Sequence, residues 1–379
     1  MRIIIIPDSF KGTMPSLKVI ERIKSGLMRH FEELEIVEIP IADGGEGTVD
    51  ALVRAMKGIR YMCEVQDALG RRTMAHYGIC GKLAVLEMAE ASGLCKINAK
   101  ERNLMEASTY GVGELILSAL DHDVDEIVIG IGGSATNDGG VGMLQALGAE
   151  FYDAAGNLLT GGGKILEKIH RIETGKLDQR ILKMPVTVMC DVSNPLTGEK
   201  GATYVYGPQK GGDVPTLKHL EAGMQNYKKR IFEHTQIDVD RIPGSGAAGG
   251  LGAALVSFLG AELKPGIELI LDLVGFDQLV DDADLVITGE GRIDEQTVYG
   301  KVPTGIAKRC LDKPVKVIAI AGAEGNEARR VYEHGVDVIL STVTQCMDDE
   351  TLLATAESRL DVAVDTLCRM LKIGISLNK

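Results

Sequence analysis

The chain has 379 residues, and its 41 Lys and Arg against 54 Asp and Glu give a formal net charge of −13. This length suggests two or three domains with full cores, and 45% hydrophobic with 25% charged residues excludes wholesale disorder. The acidic balance argues against a protein that binds nucleic acid through its phosphates. Because only 4% of the residues are aromatic and Trp is absent, we do not expect base stacking either.

The cysteines and the N-terminal residues indicate the compartment. The 7 cysteines form no CxxC pair, so neither a disulfide framework nor a zinc site is indicated. The apolar run at residues 3–6 is too short for a signal peptide or a membrane span. We therefore expect a soluble, cytoplasmic protein without membrane contact.

The first 41 residues contain a strand–helix–strand pattern. The β-branched run at residues 2–7 predicts a buried parallel strand. Helical spacing of apolar residues follows over 16–31, and a second strand is predicted over 36–41. Such units cross over in a right-handed sense in parallel sheets.

The same alternation returns only near the C-terminus. Strands are predicted over 284–288, 315–321 and 336–341, with a helix around 304–310. Together with the two N-terminal strands, they are typical of a doubly wound parallel sheet.

The middle of the chain has a different pattern. Short alternating stretches occupy 64–94, and more apolar strands are predicted over 124–131 and 185–190. We therefore expect an α/β domain of residues 56–275 inserted into a discontinuous domain of residues 1–55 and 276–379. Small-molecule sites often lie between domains, so the active site is expected in the cleft between these two.

Glycine-rich clusters with polar residues follow several of these strands. In the first, PDSFKG, the strand end delivers Asp8, Ser9 and Lys11, and a lysine there can neutralise a phosphate. A capped turn with a solvated lysine is the alternative. In the second, ADGGEGT, paired glycines let the backbone approach a ligand beside Asp43; a capped helix N-terminus is the alternative there.

The third cluster, GIGGSATNDGG at residues 130–140, carries the strongest functional signal. Small residues at a helix start expose backbone N–H groups, an arrangement that binds anions. The segment is neither a P-loop nor a dinucleotide fingerprint, because the required spacings are absent. We expect nucleotide phosphates to bind here, and the candidate residues are Gly132, Gly133, Ser134, Thr136, Asn137 and Asp138.

A fourth cluster, CDVSNPL, places Asp191 after an apolar strand, where its carboxylate could hold Mg²⁺ or accept a hydroxyl proton. A buried Asp that caps its own turn is the alternative. The nearby segment GPQKGG supplies Lys210 as a second candidate partner for a phosphate.

The last two clusters leave functional and structural explanations open. GSGAAGGLG at residues 244–252 opens a predicted helix, and close helix packing alone could explain its small residues. In TGEGRIDEQT, Glu290, Arg292 and Asp294 share one face if the segment is extended, and the arginine could bind a carboxylate or phosphate. A surface salt-bridge turn is the alternative.

Motifs for other chemistries are absent. The sequence contains no HExxH and no GxSxG, and its 7 histidines lie outside all the clusters. Carboxylates, lysines, backbone donors and a hard cation suit phosphoryl transfer, which depends on positioning and charge neutralisation.

Taken together, the clusters PDSFKG, ADGGEGT, GIGGSATNDGG, CDVSNPL, GPQKGG, GSGAAGGLGAAL and TGEGRIDEQT resemble the glycerate kinase type 1 family over essentially the whole chain. The resemblance implies ATP-dependent phosphorylation of D-glycerate, usually on the 2-hydroxyl. It also implies a discontinuous flavodoxin-like domain with a restriction-endonuclease-like domain inserted.

On this basis we expect specific roles. Lys11 and Lys210 would neutralise the transferred phosphoryl group, and Asp191 would bind Mg²⁺ or take the proton. Arg292 with Ser9 would bind the glycerate carboxylate; the remaining substrate-binding candidates are Asp8, Asp43, Glu290 and Asp294. The alternatives are a kinase that forms 3-phosphoglycerate, a noncatalytic sugar-acid sensor, and a phosphatase or lyase that acts on a phosphorylated acid.

Overall fold

The structure is a computed structural model, and it describes residues 1–10, 12–42, 44–299 and 301–377. The strands are β1 Arg2–Pro7, β2 Glu35–Glu38, β3 Ile59–Gln66, β4 Arg72–Cys80, β5 Leu83–Glu87, β6 Glu126–Gly130, β7 Glu150–Tyr152, β8 Leu158–Leu159, β9 Arg171–Glu173, β10 Val186–Met189, β11 Glu262–Lys264, β12 Leu285–Ile293, β13 Lys316–Glu324 and β14 Val338–Ser341. The α-helices are α1 Ser16–His30, α2 Thr48–Ala55, α3 Met88–Ser92, α4 Tyr110–Leu120, α5 Val141–Ala146, α6 Ala202–Tyr206, α7 Val214–Thr235, α8 Ala247–Leu259, α9 Gly266–Leu273, α10 Phe276–Asp281, α11 Val302–Cys310, α12 Asp349–Ala354 and α13 Ala356–Leu377. Short 3₁₀ helices span Leu94–Lys96, Ala99–Glu101, Gly163–Lys168, Ile181–Lys183, Pro208–Lys210, Val239–Arg241, Glu295–Tyr299 and Ala328–His334.

The chain forms two compact units. Unit 1 comprises residues 1–42 and 267–379, and unit 2 comprises residues 43–266. The sequence prediction placed helix α2 in the first domain, but α2 contacts β4 and β5 of unit 2. A Cβ added at Gly78 in β4 would lie 2.3 Å from Cγ2 of Val53, so glycine allows the helix to pack this closely. For this reason the chain passes from unit 1 to unit 2 before α2.

Unit 1 contains a parallel sheet in the order β14-β13-β12-β1-β2. Numbered along the chain within this unit, the strands lie in the order 2-1-3-4-5. The predicted five strands are therefore present, although β2 ends at Glu38, before the predicted end at 41. The isoleucines of β1 are fully buried, as expected for a β-branched run in the middle of a parallel sheet.

The core of unit 1 includes the apolar face of α1. Ile20, Ile23 and Leu27 are fully buried and cluster with side chains of α13 such as Leu360. The spacing of these residues along α1 places them on one side of the helix, which the sequence predicted. Burial of this face holds the helix against the sheet.

Unit 2 is built around a mixed sheet in the order β11-β10-β6-β5-β4-β3. Its strands β5, β6, β10 and β11 are parallel, whereas β3, β4 and β5 pair antiparallel. Helices including α4, α5 and α8 contribute to its hydrophobic core. A small antiparallel sheet in the order β8-β7-β9 belongs to the same unit. In the part of the chain that the structure describes, no helix is both long and apolar enough to cross a membrane.

Candidate active site

In unit 1, candidate residues lie where β1 ends and β12 continues beyond it to Ile293. The backbone N–H of Asp8 donates to the carbonyl of Gly289 at 2.8 Å, which places the end of β1 beside β12. The chain continues from β1 towards β2 on one side and from β12 towards β13 on the other. In parallel sheets, such a reversal of strand order opens a crevice at the carboxyl ends, where ligands bind.

Asp8 and Ser9 form the first turn after β1. The carboxylate of Asp8 accepts a hydrogen bond from the backbone N–H of Ser9 at 2.6 Å, and both residues are half-buried. This bond fixes the direction of the chain as it leaves the sheet. Lys11, the lysine of the same cluster, lies outside the described residues.

Glu290 is the most enclosed carboxyl group of this crevice. It is 6% exposed, and its carboxylate accepts a hydrogen bond from the hydroxyl of Thr297. The ammonium of Lys301 lies 4.0 Å away. Burial raises the pKa of Glu290 to about 7; the charges of Asp8 and Asp294 act in the same direction, whereas Thr297 and Lys301 oppose it. Such a carboxyl group can accept or release a proton near neutral pH.

Arg292 and Asp294 are the other two residues predicted to share one face with Glu290. The strand is extended at Arg292, which stands in register with Ala323 of β13. The guanidinium Nε lies 3.4 Å from Asp294 Oδ2, and the Arg292 side chain is 66% exposed. Asp294 also accepts a hydrogen bond from the backbone N–H of Gln296 at 3.0 Å. An exposed guanidinium can bind an anionic substrate.

In unit 2, residues 130–140, here called the glycine loop, follow β6. The N–H of Gly132 donates to the carbonyl of Gly44 at 2.9 Å, and the N–H of Gly139 donates to the carbonyl of Gly249 at 2.9 Å. A Cβ added at Gly132 would lie 2.8 Å from the Cα of Gly45. The glycines thus let the loop pack directly on residues 44–47, here called the 44–47 turn. Asp43, which precedes that turn, lies outside the described residues.

The polar side chains of the glycine loop point into the protein. The carboxylate of Asp138 is fully buried and accepts hydrogen bonds from Thr109 N (2.7 Å), Thr109 Oγ1 (2.9 Å), Gly140 N (3.1 Å) and Gly142 N (3.2 Å). Burial nevertheless raises its pKa. Thr136 and Asn137 are also fully buried, and Asn137 donates to the hydroxyl of Thr203 at 3.1 Å. These side chains support the loop from within.

Lys210 lies behind the glycine loop. It is 2% exposed, and its ammonium donates to the hydroxyl of Ser134 at 2.6 Å and to the carbonyl of Thr136 at 2.7 Å. Burial lowers the pKa of Lys210 to about 7, and the charge of Asp138 opposes this shift. The structure thus places two of the predicted residues in contact. Ser134 belongs to the glycine loop, and Lys210 supports that loop from behind. Gly133, which precedes Ser134 in the loop, has a φ of +71°, a conformation that favours glycine.

Residues 244–252 pack against the same loop. Ala248, Gly249 and Gly250 have φ values of 53°, 67° and 91°, so the regular part of α8 begins after them. A Cβ added at Gly249 would lie 2.1 Å from the carbonyl oxygen of Thr136. Close packing, the structural alternative for this cluster, is therefore what the contacts favour.

Asp191 follows β10 and is exposed. One of its carboxylate oxygens accepts a hydrogen bond from the backbone N–H of Gly266 at 2.8 Å. Among the described residues, no group of three or more His, Cys, Asp or Glu is placed to hold a metal ion. Mg²⁺ is commonly bound by one or two carboxylates together with substrate phosphates, and a single exposed Asp fits that pattern.

Sequence reasoning missed Glu87. This residue ends β5 beside Gly130, the last residue of β6, and is 2% exposed. Its carboxylate accepts hydrogen bonds from the backbone N–H groups of Gly47, at 3.1 Å, and Val49. Burial raises the pKa of Glu87 to about 7, although both hydrogen bonds oppose the shift. The signal in the sequence was an acidic residue that closes the apolar run LAVLE.

The chain is similar to glycerate kinases in sequence and in structure. A model of the glycerate kinase family matches residues 3–372. Over 363 residues the chain is 47% identical to a glycerate kinase of Halalkalibacterium halodurans, covering 95% of this chain and 96% of that protein. It is 42% identical over 371 residues to the glycerate 2-kinase of Escherichia coli K12, covering 97% and 96%. A crystal structure from Salmonella typhimurium LT2, of a protein provisionally described as glycerate kinase 2, superposes with a TM-score of 0.88 at 42% identity and covers 99% of both chains.

Proposed function

Because the chain belongs to the glycerate kinase family, whose members are phosphotransferases that act on an alcohol group, we propose that it transfers the γ-phosphoryl group of ATP to the 2-hydroxyl of D-glycerate. The E. coli relative named glycerate 2-kinase supports attack by this hydroxyl rather than the 3-hydroxyl. The observation that carries the proposal is the buried Glu290 carboxyl group, which lies in β12 just beyond the carboxyl end of β1, with Lys301 4.0 Å away.

In unit 1, the proposal assigns substrate binding and proton transfer. The exposed guanidinium of Arg292 binds the carboxylate of glycerate, and Asp8, Ser9 and Asp294 bind its hydroxyl groups. The oxygen of the glycerate 2-hydroxyl forms a bond to the γ-phosphorus while the bond between that phosphorus and ADP breaks. Glu290 takes the proton that this hydroxyl loses. A carboxyl group with a pKa near 7 suits this role, because it is ionised for much of the time at neutral pH and holds the proton once it arrives.

In unit 2, the proposal assigns phosphate binding to the backbone of the glycine loop. Small residues at the start of α5 allow phosphates to approach the chain closely. Lys210 and the buried Asp138 hold the loop in shape. Asp191 would hold Mg²⁺, which supplies neutralisation of the phosphate charge when it is bound. The contributions of Lys11 and Asp43 stay predictions.

The strand order supports a finer description of the fold. We infer that unit 1 is a flavodoxin-like, doubly wound domain, because its parallel strands lie in the order 2-1-3-4-5 that defines that class. The restriction-endonuclease-like character of unit 2 and the cytoplasmic location stay predictions.

The proposal is tested by ADP release from Mg·ATP with D-glycerate as acceptor. We expect release that depends on both D-glycerate and the divalent cation. If the protein binds ATP and D-glycerate without releasing ADP, the noncatalytic sensor replaces the kinase. If a phosphorylated acid is consumed without ATP, the phosphatase or lyase replaces it.

A further inference from the structure

Glu87 connects the 44–47 turn to the end of β5, beside the glycine loop that the proposed function places at the phosphates of ATP. Its buried carboxylate binds the N–H groups of Gly47 and Val49, at the point where the 44–47 turn becomes helix α2. Carboxylates are favourable at helix N-termini, where N–H groups lack partners within the helix. Glu87 therefore fixes the position of the turn relative to the end of β5.

The same turn is packed on the glycine loop. The carbonyl of Gly44 accepts the N–H of Gly132, and a Cβ added at Gly130 would lie 2.3 Å from that carbonyl oxygen. Gly130 itself stands in register with Glu87 across β5 and β6. A movement of the 44–47 turn by even a few tenths of an ångström would therefore push on the backbone of the glycine loop.

We propose that Glu87 is a positioning residue for nucleotide binding, which holds the glycine loop in its binding conformation through the 44–47 turn. This inference rests on the proposed function, because it requires that the glycine loop binds phosphates. Glu87 reaches the loop through the turn and is assigned no contact with the substrates.

The protonation state of Glu87 controls this support. An ionised carboxylate accepts strongly from both N–H groups, whereas in the protonated form one oxygen carries a hydrogen and is a weaker acceptor. The carboxyl group loses its proton as the pH rises through about 7. The other charged groups that act on it are Glu90 on α3 and Asp50 in the first turn of α2, and both favour the protonated form.

The test uses the full-length protein and a non-hydrolysable ATP analogue with Mg²⁺, with affinity measured by calorimetry between pH 5.5 and 8.5. In Glu87→Gln, one N–H faces an amide NH₂ instead of an oxygen. We expect this variant to bind about tenfold more weakly than the wild type at pH 8.5, equivalent to about 1.4 kcal/mol. The ratio of the two dissociation constants should approach one at pH 5.5, because the wild-type carboxyl group is then neutral as well. The ionisation of the ligand cancels in this ratio.

The matched control is Asp50→Asn, which removes an exposed carboxylate from the same helix N-terminus. Asp50 is 52% exposed and pairs with Arg60, so nucleotide affinity should stay at the wild-type value at pH 8.5, where Glu87 is ionised in both proteins. Equal affinities of wild type and Glu87→Gln at pH 8.5, or a ratio that does not change with pH, would overturn the inference. If the wild type itself fails to bind the analogue, the proposed function fails with it. If Glu87→Gln does not fold, Glu87→Asp replaces it. Its side chain is one methylene shorter, so this variant should bind the ATP analogue more weakly than the wild type at every pH. Wild-type affinity in Glu87→Asp would contradict the inference.

Discussion

Burial moves the pKa values of three side chains to about 7, and they have different functions. Glu87 and Glu290 are carboxyl groups whose charged form is disfavoured by burial, and Lys210 is an ammonium for which the same cause acts in the opposite direction. Clusters of such groups are typical of functional sites. Their contacts differ: Glu290 lies at the crevice proposed for the substrate, whereas Glu87 and Lys210 bind backbone groups.

Replacing Glu290 by Gln should lower kcat by about two to four orders of magnitude, the usual contribution of a general base. The wild-type kcat should rise as the pH increases through about 7, since Glu290 must be ionised to accept the proton. Steady-state kinetics across pH 5.5–8.5 measure both effects. Glu295→Gln, which changes an exposed acid on the adjacent turn, is the control and should keep the wild-type kcat. A Glu290→Gln enzyme with wild-type turnover would remove Glu290 from proton transfer.

Lys210 should make stability depend on pH. Burial lowers its pKa in the folded state from 10.5 to about 7, so between these values the unfolded chain binds more protons. The free energy of unfolding therefore gains on the order of 2 kcal/mol from this group between pH 7 and pH 9. Urea unfolding of wild type and Lys210→Met should differ by this gain. Lys218→Met, at an exposed position on α7, should follow the wild type, and an unchanged pH dependence in Lys210→Met would disprove the buried amine.

Among the elements, the strands of unit 1 were predictable and the left-handed residues at the start of α8 were not. A run such as Ile3 to Ile6 predicts a buried strand directly, because few other structures suit consecutive β-branched residues. Small residues at 244–252 fit both a regular helix and a tight turn. Only the approach of Thr136 to Gly249 shows which one forms.

The glycine loop has no room for a side chain at Gly132. Gly132→Ala would place a methyl group 2.8 Å from the Cα of Gly45, and backbone cannot move aside as a side chain can. Such overpacking usually costs about 1–3 kcal/mol of stability, and we expect weaker nucleotide binding in the folded variant as well. Thermal unfolding and calorimetry measure the two effects. The control is Gly175→Ala, where nothing lies within 4 Å of the added Cβ, and it should change neither stability nor nucleotide affinity. If Gly132→Ala also leaves both unchanged, the loop tolerates displacement and the prediction is wrong.

In the whole molecule, the candidate residues of each unit come from the carboxyl ends of parallel strands. In unit 1, Asp8 follows β1, and Glu290 lies in the C-terminal part of β12, beyond the end of β1. In unit 2, Glu87 ends β5, the glycine loop follows β6, and Asp191 follows β10. This placement was predictable, because polar residues directly after apolar strands mark that edge.

The directions of the candidate side chains could not be predicted from the sequence. Residue types in the clusters indicated phosphate chemistry, but the direction of each side chain depends on contacts far along the chain. The role predicted for Lys210 at the transferred phosphoryl group stays a prediction, whereas its contact with Ser134, 76 residues away in sequence, had no local signal. Likewise α2 packs in unit 2 because Gly78 leaves room for Val53, a pairing that no local pattern shows.

Phosphorylation of the 2-hydroxyl of D-glycerate can be tested directly by identifying the product with phosphorus NMR. The purified protein would be incubated with Mg·ATP and D-glycerate, and the new phosphomonoester signal compared with both phosphoglycerates. We predict accumulation of 2-phosphoglycerate together with ADP. Accumulation of 3-phosphoglycerate would contradict the assigned site of attack, and the absence of any new phosphoester would contradict the kinase reaction itself.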